Sequence, residues 1–378
     1  MNKMRILRRL TGATIGVVRY ISFILGSTVL LLTLGHIALG LLPVKNAPAV
    51  PYFNESQIMR ELYKETEQAV AMDFAPYYHW KGIPFSGKLV NIDDNGNRKT
   101  IKDPSPGATR IFCMGGSTMW GRGLPDPLTI PSILQQQLGT NFDVHNFGEQ
   151  AFVSVQELNY LLEKLAFGQV PEVVIFYDGV NDGYAGVYSP AIPRDPQTVR
   201  LEHHQRIERQ RSEDFWNLLG RALFNKTNYR LVYEYGQPDL PAWGRQVKTE
   251  ISDNVTKTLD AYEAFVRQAQ AVAREYDFEV FFFWQPNIYS LGKPLTPYEE
   301  QILADSDAIL VESQKMVYEE ARRRFTHRND IHFLGDIFNE VEKEIYIDFC
   351  HTRPRGNRII AAEMVQVLRR HWKLREGN

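Results

Sequence analysis

At 378 residues, with 44% hydrophobic and 23% charged residues, the chain has the make-up of an ordinary globular protein of one large or two modest domains. A formal net charge of −2 gives no electrostatic case for nucleic acid, which calls for a clustered basic surface. Its two cysteines, Cys113 and Cys350, exclude a disulfide framework; they read as buried free thiols, with a single Cys113–Cys350 pairing as the alternative.

Residues 1–20 carry Lys3, Arg5, Arg8, Arg9 and Arg19 and no acid. Ile21 to Val44 then run without a charge, with only His36 breaking their apolar character. About 20 apolar residues suffice for a helix to cross the hydrocarbon core, so 21–44 is expected to be a transmembrane helix. The basic flank sets its N-terminus in the cytoplasm and the rest of the chain outside it. A cleaved signal peptide is the rival reading, but its apolar core would be only about 7–15 residues long.

Residues 45–106 read as a linker rich in proline (Pro48, Pro51), a polar helix over Glu55–Met72, and a hairpin in Lys88–Thr100 around Asn95-Gly96. From 107 to 378 strands and helices alternate. The expected strands are Arg110–Met114, Asp143–Phe147, Glu172–Tyr177, Glu279–Trp284 and Asp330–Phe333. Between and after them lie helices over Ile130–Leu138, Val153–Phe167, Asn254–Tyr276, Tyr298–Phe325 and Gly356–Trp372. Short continuous apolar strands are those buried on both faces of a parallel sheet, so the pattern predicts an α/β fold with helices on both faces. Residues 184–250 interrupt the alternation with charged and aromatic residues, either a solvated decoration or a lid over the site.

In such sheets ligands bind at the carboxyl ends of the strands, where Ser117, Gly148 and Asn181 all fall. Ser117 follows Gly115-Gly116, whose small size permits a sharp turn and close approach; a helix-capping turn is the other use of that tripeptide. A serine hydroxyl attacks only when a base takes its proton. His351 is the base, and Asp348, three residues earlier, would hold its second ring nitrogen and fix the tautomer. Asn181 and Gly148 offer an amide side chain and a backbone N–H to a developing oxyanion, beside the N–H of Ser117. Asp182 reads as a brace for its loop rather than a chemical participant. Asp-x-x-His could also ligate a metal, but no clustered third ligand is evident in the sequence, so no metal is expected.

Four segments together, Gly115-Gly-Ser117-Thr118, Asn146-Phe-Gly148-Glu-Gln150, Gly179-Val-Asn181-Asp182 and Asp348-Phe-Cys-His351, resemble the SGNH, or GDSL-like, hydrolases over about residues 107–372. That resemblance implies a flavodoxin-like three-layer α/β/α sandwich and serine-based ester hydrolysis without metal or organic cofactor. Gly-Gly-Ser-Thr replaces the more usual Gly-Asp-Ser. With the membrane segment, it is similar to bacterial envelope members, some of which act on acyl groups of cell-surface polysaccharide and others on lipids. The partner expected is therefore an ester, possibly an acylated polysaccharide; acyl transfer to a sugar hydroxyl, or glycan binding without turnover, are the alternatives. Trp120 and Gln285, in Trp284-Gln285-Pro286, are further candidates for contact with substrate; each could equally serve the core or a strand-ending turn.

Overall fold

The computed structural model describes residues 20, 22–31, 33–34, 50–188, 251–290, 292–306 and 308–376. The chain divides into two compact units. One comprises Ala49–Pro193 and Pro241–Asn378 and contains the sheet. In the other, residues 20, 22–31 and 33–34 are helical. Among the described residues no helix is long and apolar enough to cross a membrane. The segment expected to span one, 21–44, lies in part outside the described residues, as does most of the 184–250 interruption.

Five parallel strands form the central sheet, in the spatial order β6-β5-β7-β8-β9. They are β5 (Thr109–Gly115), β6 (Phe142–Gly148), β7 (Val173–Asp178), β8 (Glu279–Trp284) and β9 (Ile331–Phe333). Counted within the sheet this is the order 2-1-3-4-5 of a doubly wound flavodoxin-like fold. Register follows the pleat: Cys113 stands opposite Asn146 on one side and Ile175 on the other. Successive side chains therefore enter opposite layers.

One layer takes Phe112, Met114, Val174, Phe176, Phe282 and Trp284 against three helices, α4 (Ser154–Ala166), α6 (Ile251–Tyr276) and α8 (Ala308–Phe325). The other takes Ile111, Cys113, Ile175, Tyr177 and Phe283 against α3 (Ile130–Leu138) and α9 (Pro354–Glu376). Burying each such side chain contributes about 1.5–3 kcal/mol. The architecture is thus a three-layer α/β/α sandwich.

Local chemistry sets several ends. Thr129 caps α3 by accepting from Ser132 N, and Pro131 sits in the first turn, where its missing N–H costs nothing. The single helix expected over Tyr298–Phe325 is two, α7 (Pro297–Ala304) and α8. The break falls at Asp305-Ser306, where Ser306 Oγ donates back to Ile302 O and receives the Tyr289 hydroxyl. The Asn95-Gly96 turn is present, with Gly96 at φ 79° and Ile92 bridging Arg98 antiparallel. Two antiparallel pairs precede it, β1 (Met72–Ala75) with β2 (His79–Gly82) and β3 (Phe85–Ser86) with β4 (Asn91–Ile92). The polar helix α1 is shorter than expected, Gln57–Ala69.

Candidate active site

Ser117 opens the four-residue helix α2 (Ser117–Trp120) directly after β5, with Gly116 as its cap. Its Oγ lies 2.8 Å from His351 Nε2, and His351 Nδ1 lies 2.7 Å from Asp348 Oδ2. The other carboxylate oxygen, Oδ1, accepts the backbone N–H groups of Cys350 at 3.0 Å and His351 at 2.8 Å. Burial pushes the Asp348 carboxyl up, but the His351 ring and those two N–H groups outweigh it and hold it at about 2. The side chain keeps 36% of its surface exposed, so solvent reaches the carboxylate and the anion is its resting form. An anionic carboxylate only accepts, so Nδ1 carries the imidazole proton and Nε2 is left to accept from the serine hydroxyl. Ser117, far in sequence from Asp348 and His351, forms one continuous relay with them.

The turn after β7, at Gly179, opens α5 (Val180–Tyr188), whose first turn carries Asn181 into the same place. Asn181 Nδ2 donates to Phe152 O at 2.8 Å, and its second hydrogen is free to donate. A methyl group on Gly116 would stand 2.3 Å from that nitrogen, so glycine there is a condition of the close approach. The Ser117 N–H, in the first turn of α2, has no helical partner by position.

Gly148 does not fill the role expected of it. Its N–H donates to Asn146 Oδ1 at 3.0 Å. Asn146 Nδ2 in turn donates to the carbonyls of Met119 and Trp120. Gly148 is needed for clearance: a Cβ there would lie 2.4 Å from Trp120 N and 2.9 Å from Met119 C. Backbone cannot yield as a flexible side chain does, so Gly148→Ala is expected to destabilise the fold by about 1–3 kcal/mol, read as a lowered midpoint in urea at unchanged slope.

The residue that sequence reasoning missed is Ala151. It is exposed and held at φ 57°, the left-handed region that a residue with a Cβ rarely adopts. Its N–H donates to no group among the described residues. It precedes Phe152, whose carbonyl takes the Asn181 amide and would lie 3.4 Å from a Cβ on Gly116. That N–H, on a turn whose next carbonyl holds Asn181, is a candidate oxyanion donor, whereas the Gly148 N–H is spent on Asn146. No glycine marks the turn in the sequence, which is why it was not legible there.

Trp120 and Gln285 are corrected as well. Trp120 is 1% exposed and lies beneath the Arg98 guanidinium, 4.3 Å from its ring centroid. Arg98 is itself buried on Asp126 at 2.8 Å, so Trp120 is core and does not face substrate. Gln285 is buried too. Its Oε1 accepts from Thr118 Oγ1 at 2.9 Å, its N–H donates to Asp178 O, and its carbonyl accepts the Tyr318 hydroxyl. It holds Thr118 from behind rather than lining the cleft. Thr118, Arg122, Tyr177, Cys350 and His351 line a crevice beside the relay that is too narrow for a water molecule. Both cysteines are free and buried.

Beneath the Asn181 turn three carboxyls are packed together. Asp182 Oδ1 accepts both the N–H and the hydroxyl of Ser154, tying this turn to the start of α4. Burial raises Asp182, raises Glu157 strongly with help from Asp178, and pushes Asp178 up to about 8 with help from Asp182. In the unfolded chain an aspartate titrates near about 3.9. Between there and about pH 8 the folded state binds more protons, so stability falls as pH rises through that window. Asp178→Asn should flatten the decline, measured as Tm against pH for both proteins; an equal slope would assign the protons elsewhere.

The fold and this constellation define a doubly wound α/β protein with a Ser–His–Asp relay at the carboxyl edge of its sheet. No protein-family model matches the chain, and no curated protein matches it. Among solved structures it is similar to an aryl esterase of M. smegmatis, at 17% identity over 69% of this chain and 99% of that one, with a TM-score of 0.35. A carbohydrate acetylesterase family member from Sinorhizobium meliloti is similar at 16% identity over 69% and 97%, with a TM-score of 0.37. The acetyl xylan esterase AlAXEase is similar at 13% over 68% and 98%, with a TM-score of 0.35.

Proposed function

We propose that the chain is a serine ester hydrolase of the SGNH type. The observation that carries this reading is the relay itself, Asp348 to His351 at 2.7 Å and His351 to Ser117 at 2.8 Å. His351 Nε2 takes the proton of Ser117 as Oγ attacks the ester carbonyl. Asp348 stabilises the imidazolium so formed without itself becoming protonated. The oxyanion is held by the Ser117 N–H, the second hydrogen of Asn181 Nδ2 and the Ala151 N–H. His351 returns its proton to the departing alcohol. Water, deprotonated by the same nitrogen, then releases the acid from the acyl-enzyme. None of these steps requires a cofactor.

The substrate proposed is an acetylated carbohydrate of the cell envelope. Ser117 and His351 are 9% and 8% exposed, and so crowded a setting suits a short acyl group better than a long chain. Residues 21–44, a charge-free run after a basic one, would anchor the protein and set this domain on the extracytoplasmic side. A series of p-nitrophenyl esters of increasing acyl length tests the assignment, with acetate release from an acetylated oligosaccharide measured alongside. Falling kcat/KM with chain length and free acetate from the oligosaccharide are expected. Rising kcat/KM with chain length would move the substrate to lipid, and no turnover of any ester by the intact protein would remove the hydrolase reading.

A further inference from the structure

Cys350 stands between the two partners of the relay, and its sulfur faces them. Sγ lies 3.6 Å from His351 Nδ1, and one donor atom from each of Asp348, Cys350 and His351 falls within 4.8 Å of the others. Cys350 and His351 line a crevice beside Thr118 and Arg122 and are 4% and 8% exposed, while Asp348 keeps 36% of its side chain at the surface, so an ion would enter past the carboxylate. A sulfur, a nitrogen and a carboxylate oxygen converging in this way are the donor set of a tetrahedral zinc-type ion, leaving a fourth position for water.

Two of the three donor separations compare directly with that ion; the third, Cys350 Sγ to the Asp348 carboxylate, is within 4.8 Å, against about 3.6 Å on the ion. With metal–nitrogen near about 2.05 Å and metal–sulfur near about 2.3 Å, tetrahedral bonds hold the two donors about 3.6 Å apart. That is the Sγ–Nδ1 separation already present. A carboxylate oxygen and the ring nitrogen would stand about 3.4 Å apart on the same ion. They are now 2.7 Å apart, so Asp348, whose side chain is 36% exposed, needs to withdraw by well under an ångström.

We propose that Asp348, Cys350 and His351 form an inhibitory site for a soft divalent cation such as Zn²⁺, built into the catalytic relay. The ion takes Nδ1 of His351 in place of its proton. That proton moves to Nε2, and the Cys350 thiol loses its own to solvent, since a coordinating thiol is deprotonated outright. Carboxylate and thiolate then balance the dication. Nε2 becomes a donor and can no longer accept the Ser117 proton, so the base is switched off while the fold is untouched. Cation binding follows from the three donors alone; inhibition rests on the hydrolase reading.

Cd²⁺ gives a thiolate-to-metal charge-transfer band, so binding and activity can be read separately on the full-length protein. Titration should raise the band to one equivalent in the wild type and not in Cys350→Ala. Cys113, the other cysteine, is wholly buried in the core and serves as the internal control. Zn²⁺ should depress p-nitrophenyl acetate hydrolysis by the wild type about a hundredfold or more, the worth of a general base. Cys350→Ala, which keeps the backbone N–H to Asp348, should lose far less of its own metal-free rate to Zn²⁺ than the wild type loses of its own. A band of equal height in Cys350→Ala, or none in the wild type, overturns the site. A band lost in Cys350→Ala from a protein with no esterase activity keeps the site and removes the hydrolase reading instead.

Discussion

Asp348→Asn is expected to lower kcat by about 10⁴-fold while leaving the fold and KM nearly unchanged. The reason lies in what each oxygen of Asp348 does. Oδ2 accepts from His351 Nδ1 and so fixes the tautomer that points a lone pair at Ser117. Oδ1 accepts from two backbone N–H groups, Cys350 and His351, which settles which end of an amide could replace it. Asparagine must keep its carbonyl on those N–H groups and turn its NH₂ toward the ring. Nδ1 then accepts, Nε2 carries the proton, and the base faces Ser117 in the wrong state. Steady-state kinetics on a short ester, with circular dichroism as the folding control, checks this. A loss of less than about tenfold would mean that Asp348 only anchors its loop.

Asn181→Ala should cost about 10²–10³ in kcat, the worth of one oxyanion donor, with little change in KM. The structure adds a companion variant that touches no polar group. A methyl at Gly116 would meet Asn181 Nδ2 at 2.3 Å, well inside contact distance. Gly116→Ala must therefore push the amide away from its bond to Phe152 O and from the space above Ser117. The expected result is a loss of kcat close to that of Asn181→Ala, and a double variant scarcely worse than either single one. Additive losses, measured in the same cycle, would separate Gly116 from Asn181 and contradict the geometry.

Much of the frame could be read from residue patterns. Val173–Tyr177 and Phe281–Trp284 are continuous apolar runs because both faces of the sheet are covered, and both are strands. Ser117, Asn181, Asp348 and His351 were legible because each is a residue type the chemistry needs, placed just past a strand or beside its partner. Gly148 misled for a physical reason: glycine marks close packing as often as an open donor, and the sequence does not say which. Here the neighbour is the backbone of α2. Ala151 gave no signal, since only the folded chain shows its φ of 57° and an N–H with no acceptor among the described residues. Trp120 depended on Arg98 and Asp126, whose buried pairing across the chain no local pattern reveals. The β1–β2 hairpin escaped because Tyr77 and His79, not glycine or asparagine, take the positive-φ positions of its turn.

We propose Ser117 as a nucleophile activated by His351. Treatment of the intact protein with a fluorophosphonate, followed by peptide mass mapping, tests it without knowledge of the substrate. A single adduct on the peptide containing Ser117, absent in Ser117→Ala and strongly slowed in His351→Ala, is the predicted result. An adduct that persists unchanged in Ser117→Ala, or that forms at the same rate without the histidine, would contradict it.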